Sequence, residues 1–296
     1  MNHEIVPVTV IIPIKNQASA LRRSLEPLKE MESVVVVDSG SVDGTVEVAQ
    51  AWGADVVQFN WTGSYPKKRN WALQSLNFTT AWVLFLDADE VVTPAFISEL
   101  RDAIQTPTYV GYWLNYANFF QGRLLRFGVP QRKLALFKVG TGLYERIEDR
   151  GWSDLDMEVH EHPILDGAIG KLHSRIRHED FSDLSAFLNR HNKYSTWEAH
   201  RYLEQIAGEA ADGAKLTLRQ QVKYALIESR WLSVIYFFYT YVLLGGVFDG
   251  SAGLHYAIYK ARYFFDISQK IEELRRSKRA QTLELSERKS KEKIPC

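Results

Sequence analysis

The chain has 296 residues, enough for about two domains at ~150 residues each. Hydrophobic residues make up 46% and charged residues 24%, a balance that excludes a disordered, collagen-like or disulfide-scaffold protein. Lys+Arg and Asp+Glu both total 36, so no net field draws the molecule to nucleic acid, and the single cysteine, Cys296, suits a reducing compartment.

Near the N-terminus, Ala18-Ser19-Ala20 imitates a leader cleavage site. No Lys or Arg precedes the apolar run, Glu4 is acidic, and Pro7 and Pro13 interrupt Ile5 to Ile14, so the stretch reads as a buried strand instead. Val8 to Ile14 is short, β-branched and almost wholly apolar, as in a strand covered on both faces. A helix is expected from Ala18 to Lys29, with Leu21, Leu25 and Leu28 on one face. Val34 to Val37 forms a second strand that stops at the turn cluster Asp38-Ser39-Gly40-Ser41. Then come a helix through Val46 and Ala49, a strand from Asp55 to Phe59 and a helix over Arg69 to Leu76. A fourth strand, Trp82 to Leu86, ends abruptly in Asp87-Ala88-Asp89-Glu90, and Thr93-Pro94 has the form of a cap and first turn for a helix running to Ile104. Such alternation predicts a parallel sheet with right-handed crossovers. Ligands of such sheets sit beyond the carboxyl ends of the strands. Lys15-Asn16, Asp38, Asp87 and Asp89 all fall at those ends, so three turns point to one cleft.

Beyond Tyr109 the pattern loosens, with strands expected at Gly111–Asn118 and Leu134–Lys138. Acidic residues and histidines then gather from Asp154 to His178. Leu184 to Arg230 is helix-favouring and heavily charged. Trp231 to Phe248 holds 18 residues without a charge, at the lower edge of what can cross a bilayer core of ~30 Å. Its three tyrosines and Gly245-Gly246 suit an interfacial segment better, followed by a second aromatic helix at Leu254–Ile267. From Lys270 onward there are nine Lys/Arg against five Asp/Glu, an excess of +4 that favours anionic lipid. The alternative is a buried helical hairpin with a solvated tail.

The chemistry concentrates first in Asp87-Ala88-Asp89. Two carboxylates leaving a strand suit a hard divalent cation, Mg2+ or Mn2+, which can bridge to a diphosphate. Read blandly, the same residues are a polar turn before a helix. Asp38 at the second strand end can accept from a base N–H or a ribose hydroxyl, although Asp38 to Thr45 taken alone is ordinary turn chemistry.

Together these motifs carry a resemblance. IIPIKN (Ile11 to Asn16), VVVVDSGSVDGT, KKRNWAL and WVLFLDADE resemble the inverting family 2 glycosyltransferases of GT-A fold. Asn118 to Arg123, Gly128-Val129-Pro130, Leu134 to Phe137, Val159-His160-Glu161 and Gly245 to Gly250 are most similar to the lipopolysaccharide core β-glucosyltransferase branch. The likeness spans about Val8 to Phe265. It implies an α/β, Rossmann-like, mostly parallel sheet of GT-A fold, and the apolar run and basic tail add the expectation of a C-terminal helical, membrane-associated extension. The expected division is a catalytic domain at 1–180, a charged helical segment at 181–230, and interfacial helices with a basic tail at 231–296.

By the same resemblance, Pro13 and Asn16 shape the nucleotide loop and Asp38 reads uracil. Arg69 and Asn70 brace the nucleotide side, Lys67 or Lys68 lies near phosphate, Asp87 by the ribose and Asp89 on the metal. His178 is a possible third metal ligand, although a lone histidine is more often structural. Relatives commonly place the base in a Glu-Asp pair; here His160-Glu161 stands in that region, so Glu161 is the expected base. The implied activity is metal-dependent, inverting transfer of a hexose, glucose above others, from a UDP-sugar to a lipid-anchored glycan such as a lipopolysaccharide core. The expected location is the cytoplasmic face of the inner membrane, with peripheral or monotopic attachment and no nucleic-acid partner. Two rivals are a haloacid-dehalogenase-like phosphohydrolase using Asp87 as nucleophile, for which no later paired-Asp motif is found, and a nucleotide-binding module without catalysis.

Overall fold

The computed structural model describes residues 5–146, 152–153, 155–157, 162–179, 184–207 and 218–291. The chain divides into two compact units, residues 1–181 and 182–296.

The first unit opens with β1 (Val6–Ile14), α1 (Ala18–Leu25), β2 (Met31–Asp38), α2 (Thr45–Trp52), β3 (Asp55–Gln58), α3 (Lys68–Ser75) and β4 (Trp82–Phe85). It continues with β5 (Glu90–Val91), α4 (Pro94–Ile104), β6 (Gly111–Phe120), β7 (Arg123–Leu124), β8 (Arg132–Lys138), β9 (Gly142–Tyr144), β10 (Pro163–Leu165) and β11 (Ile169–Glu179). The central sheet runs β3-β2-β1-β4-β8-β6-β11-β5, with β7 pairing β6; β9 and β10 form a separate antiparallel ribbon.

The alternation expected from sequence holds through β4. Every residue of β1 except Pro7 is buried, which is why the strand is apolar on both faces. Thr93 caps α4 by accepting the Phe96 N–H at 3.2 Å on its hydroxyl, with Pro94 in the first turn. Two departures have physical causes. The first helix ends at Leu25 and tightens into a 3₁₀ turn, Glu26–Glu30, because Pro27 has no N–H for an α-helical bond. The sheet is mixed: β8 lies antiparallel between β4 and β6, and β5 antiparallel to β11. β11, eleven residues long and parallel to β6, was not anticipated, since most of its side chains are polar and only Gly170, Leu172 and Ile176 are buried. The core packs Leu84, Leu86, Phe96, Leu100, Leu114, Leu136 and Phe137 against the inner strands, all essentially inaccessible.

The second unit contains α5 (Leu184–Ile206), α6 (Leu218–Leu226), α7 (Trp231–Phe238) and α8 (Gly250–Lys291). A π-helical turn, Tyr239–Leu243, and a 3₁₀ turn, Gly246–Asp249, join the last two. At 42 residues, α8 is about 63 Å long. Its core gathers Ala199, Tyr202, Leu203, Ile227, Leu232, Ile267 and Ile271. Polar clamps fix the register of the helices. Lys270 Nζ reaches the Asn192 carbonyl at 2.6 Å, Ser195 Oγ at 2.9 Å and Thr196 Oγ1 at 2.7 Å, while Arg275 grips Glu228 with both terminal nitrogens. Among the described residues no single helix is long and apolar enough to cross a membrane.

Candidate active site

The carboxyl ends of β1, β2 and β4 converge, as the sequence order requires. Ile11 gives its carbonyl to Leu86 N beside β4 and Ile14 gives its own to Ser39 N beyond β2. Pro13 therefore faces the β4 side, past the last β1–β4 pair at Ile11–Phe85, where its missing N–H costs no ladder bond. Asn16 follows with φ of 53°, a left-handed conformation that asparagine tolerates well. From there its N–H donates to Ser41 Oγ and its Oδ1 accepts from Val42 N, both at 2.8 Å, which fastens the 38–45 loop over the end of β1.

Asp38 organises that loop. Its carboxylate is fully buried and accepts from Gly40 N and Ser41 N, each at 3.0 Å, and from the Ser41 hydroxyl. Burial alone would raise its pKa, but these bonds and one from Gln58 hold it below the ordinary carboxylate range. A direct contact between Asp38 and a base requires one of these bonds to open.

The start of α3 ties four separate pieces of chain together. Lys68 is buried and directs Nζ to the Ile14 carbonyl at 3.0 Å and to Asp156 Oδ2 at 3.1 Å, while its N–H donates to the Asp156 carbonyl at 2.9 Å. Arg69 reaches the end of β4, 2.8 Å from Asp87 Oδ1, and its guanidinium lies 5.4 Å from the Tyr144 ring centroid. Asn70, also buried, bonds both backbone groups of Tyr144, accepting its N–H at 2.8 Å and donating to its carbonyl at 2.9 Å. Tyr144 ends β9, and Gly142 within that strand is obligatory, since a Cβ there would collide with the Ile164 carbonyl of β10. Lys67 is buried too, with Nζ 5.9 Å from the Trp61 ring centroid.

Asp87 and Glu90 share one lysine. Lys133, from the start of β8, bridges Asp87 Oδ2 and Glu90 Oε1 and sits 5.3 Å from the Tyr116 ring centroid. Glu90 Oε2 accepts from Asp87 N at 3.1 Å and from the Tyr116 hydroxyl at 3.3 Å. Burial would depress the lysine, but the two carboxylates outweigh it and hold Lys133 well above its usual range. Burial likewise pushes Asp87 upward, and Lys133 with Arg69 overrides it, keeping Asp87 ionised far below the ordinary value. Glu90 moves up, because burial and the Asp87 charge outweigh Lys133. Lys133, Glu90 and Tyr116 were not legible as a group; the available signal was a lysine opening the apolar strand Leu134 to Phe137.

Asp89 and His178 meet through strand pairing. His178 stands opposite Glu90 on β5 and Asn118 on β6, and Glu179 N donates to the Asp89 carbonyl at 2.9 Å. Asp89 Oδ2 and His178 Nε2 come within 3.6 Å, while His178 Nδ1 lies 3.1 Å from Asn118 Oδ1. With Nδ1–H donating to Asn118 Oδ1, Nε2 and the carboxylate face one point, a donor set of the kind Mg2+ or Mn2+ accepts. Burial lowers the His178 pKa, but the hydrogen bond and charge of Asp89 raise it overall. Among the described residues no group of three or more His, Cys, Asp or Glu gathers around a point, so these two carry the fit.

Of the other expected residues, Glu161 lies outside the described residues, as do His160, Asp154, Glu158 and Asp180. Asp156 is engaged by Lys68, and His162 packs edge-on against Trp113 at 5.4 Å, where burial lowers its pKa.

Residues 9–155 match the family described as Glycosyl transferase family 2. LpsC of Rhizobium meliloti, a lipopolysaccharide core biosynthesis glycosyltransferase, is 25% identical over 67% of this chain and 73% of its own length. An uncharacterized glycosyltransferase of Rickettsia conorii is 27% identical over 71% of this chain and 74% of its own. Among solved structures, glucosyl-3-phosphoglycerate synthase from Mycobacterium tuberculosis, in complex with Mn2+, UDP and glucosyl-3-phosphoglycerate, is similar at 23% identity. That likeness has a TM-score of 0.30 and covers 39% of this chain and 44% of the other. The family match takes in β1 through β9, with Asn16, the 38–45 loop, the start of α3 and the Asp87 cluster, and it leaves no place for the phosphohydrolase alternative. The chain carries a family 2 glycosyltransferase domain of GT-A fold, and the protein is a glycosyltransferase.

Proposed function

We propose that this glycosyltransferase moves a hexose, glucose above others, from a UDP-sugar to a lipid-anchored glycan of the cell envelope, with inversion and with a divalent cation. The observation that carries the reading is the meeting of Asn16 and its loop, the Arg69–Asp87–Lys133 cluster and the Asp89–His178 pair at neighbouring strand ends. The first shapes a nucleoside pocket, the second fixes a carboxylate for ribose hydroxyls, and the third is the place for Mg2+ or Mn2+. Bound there, the cation supplies charge neutralisation for the departing diphosphate. The uridine specificity follows from the motif resemblance, and the acceptor class is supported by LpsC, whose name places it in lipopolysaccharide core biosynthesis. On this reading the reaction runs at the cytoplasmic face of the inner membrane.

The protein groups divide the work simply. Asp87, kept ionised by Arg69 and Lys133, accepts hydrogen bonds from the donor without needing to change its protonation state. Asn70 holds Tyr144, where the connection from β9 to β10 begins, and Lys68 holds Asp156 within it; Glu161 follows five residues later in the same connection. The acceptor oxygen attacks the anomeric carbon as the bond from that carbon to the diphosphate oxygen breaks. Glu161 takes the hydroxyl proton, a contribution of roughly 10²–10⁴-fold. The test is a calorimetric screen of UDP- and GDP-sugars with and without Mn2+. Binding of a UDP-hexose that requires the metal is expected; metal-independent binding overturns the role of the cation, and binding of GDP-sugars alone overturns the donor assignment.

A further inference from the structure

The second unit presents a continuous exposed apolar face. Trp231, Val234, Ile235, Phe238, Tyr239, Val242 and Leu243 recur at spacings of three, one, three, one, three and one residues, and all are exposed. They form one continuous stripe along α7 and the π-helical turn, extended by Val247 and Phe248. Trp231 is 71% exposed, Leu243 77% and Phe248 76%, which places the largest apolar groups outermost. The opposite side of the same segment is closed: Leu232, Ser233, Thr240 and Gly246 are buried, and Tyr236 packs against Phe264 of α8 at 4.5 Å. Thr240 returns its hydroxyl to the Tyr236 carbonyl at 2.9 Å, so the polar group on the inner side is satisfied within the helix. Gly253 of α8 touches the 3₁₀ turn so closely that a Cβ would strike the Gly246 carbonyl. The two arms, Trp231–Leu243 and Gly246–Gln281, bend by 72° and are long and apolar enough to reach into a membrane only when taken together. The inner side of this segment is therefore packed, and the apolar stripe is its outer side.

Charge identifies what covers it. Where α7 begins, a cavity of about 310 Å³ is lined by Arg230, Arg275, Arg276 and Arg279 against Glu228 and Glu272. Glu228 is taken by Arg275, and Glu272 by Arg230 and Arg276, which leaves the lining with two more positive than negative charges. An uncharged aromatic and aliphatic stripe with a tryptophan at one end and arginines at its border is complementary to acyl chains beside anionic phosphates. A soluble protein partner would be expected to meet hydrogen-bonding or charged groups along such a surface, and between Trp231 and Phe248 there is no charged residue.

We infer that this face of the second unit lies in the interfacial layer of an anionic bilayer, with the α7 stripe toward the acyl chains and the arginine-lined cavity at the lipid phosphates. It attaches the enzyme to one leaflet and does not span the membrane. The inference does not depend on the donor or acceptor assigned above.

The full chain, without detergent and at low salt, is sedimented with vesicles of phosphatidylcholine alone and of an equal mixture with phosphatidylglycerol. Wild type is expected to bind the mixed vesicles about tenfold or more tightly than the neutral ones. The triple variant Trp231→Glu, Leu243→Glu, Phe248→Glu replaces exposed groups only and is expected to lose both. Arg276→Gln with Arg279→Gln is expected to lose the anionic preference and keep the residual neutral binding. A fold-preserving readout is Leu243→Cys in a Cys296→Ser background, carrying an environment-sensitive fluorophore whose emission shifts to the blue on mixed vesicles. Wild type that stays in the supernatant with both vesicles overturns the inference, as does a triple variant that binds like wild type. A dimer that ignores vesicles also overturns it, and assigns the stripe to a second copy. UDP-sugar binding is measured in parallel: donor binding without vesicle binding refutes the membrane inference alone, and the reverse refutes the donor reading alone.

Discussion

Replacing Lys133 by methionine tests the reading of the strand-end cluster most directly. The lysine is the common partner of Asp87 and of Glu90, whose side chain is wholly buried. Methionine keeps the length and the contact with Tyr116 but leaves two carboxylates facing each other, with Arg69 remaining on Asp87 alone. Removing one partner of a buried ion pair costs about 3–5 kcal/mol, because the other charge stays desolvated. For a unit of this size 1 kcal/mol corresponds to ~2–4 °C, so the melting temperature of the first unit should fall by about 6–20 °C. Differential scanning calorimetry is the assay, since it reads the melting temperature and the unfolding enthalpy directly. Adding Glu90→Gln should recover part of the loss, because an amide tolerates burial better than an unpaired carboxylate and can still accept from Asp87 N and Tyr116. A change of less than about 2 °C in Lys133→Met, or no recovery in the double variant, would refute the claim that this lysine neutralises the cluster.

Four further outcomes are expected. Asp89→Asn should weaken Mn2+-dependent UDP binding by about tenfold or more with an unchanged melting temperature, and equal affinity in calorimetry removes Asp89 from the metal. Glu161→Gln should lower turnover by roughly 10²–10⁴ while UDP-sugar binding persists; near-normal turnover passes the role to another acidic residue of that segment. Asn70→Ala strands the buried N–H and carbonyl of Tyr144 and should cost about 2–4 kcal/mol in thermal unfolding, whereas a surface-like loss below about 0.5 kcal/mol contradicts the strut. Glu99 accepts from His173 N and Ser174 N at 2.7 Å each, and although burial raises its pKa these bonds lower it overall. Its stabilisation is complete above the ordinary carboxylate range and fades as pH falls through the lowered value, so Glu99→Gln should show a shallower loss of melting temperature between pH 6 and pH 3 than wild type.

What the sequence disclosed follows from what is local in it. The buried strands β1 and β4 are apolar on both faces, α4 carries its own cap, and the polar residues at three strand ends are set by alternation alone. Properties decided by distant partners stayed hidden. β11 is stabilised by pairing with β6 and β5 rather than by apolar content, so eleven mostly polar residues gave no strand signal. Lys133 stands 46 residues from Asp87 and 43 from Glu90, and nothing near it marks the charges it meets. The antiparallel insertion of β8 brings them together, and a strictly alternating parallel sheet does not contain it.

Lys68-Arg69-Asn70 shows how local and distant information combine in the site. The resemblance placed these residues beside the nucleotide, and the structure gives each a different partner: the end of β1 with Asp156, the Asp87 carboxylate, and the backbone of Tyr144. Three consecutive residues at a helix start point in diverging directions, about 100° apart around the axis, so one short segment can reach three walls of a cleft. Two of the three side chains bind main chain, and their loss would therefore act on the placement of loops before it acted on any ligand contact. On this geometry α3 is the element that joins the donor side of the cleft to the segment bearing Glu161. Substitutions at Lys68 or Asn70 should then lower turnover more than they weaken UDP binding, while Arg69, which alone of the three holds the Asp87 carboxylate, should weaken the binding itself.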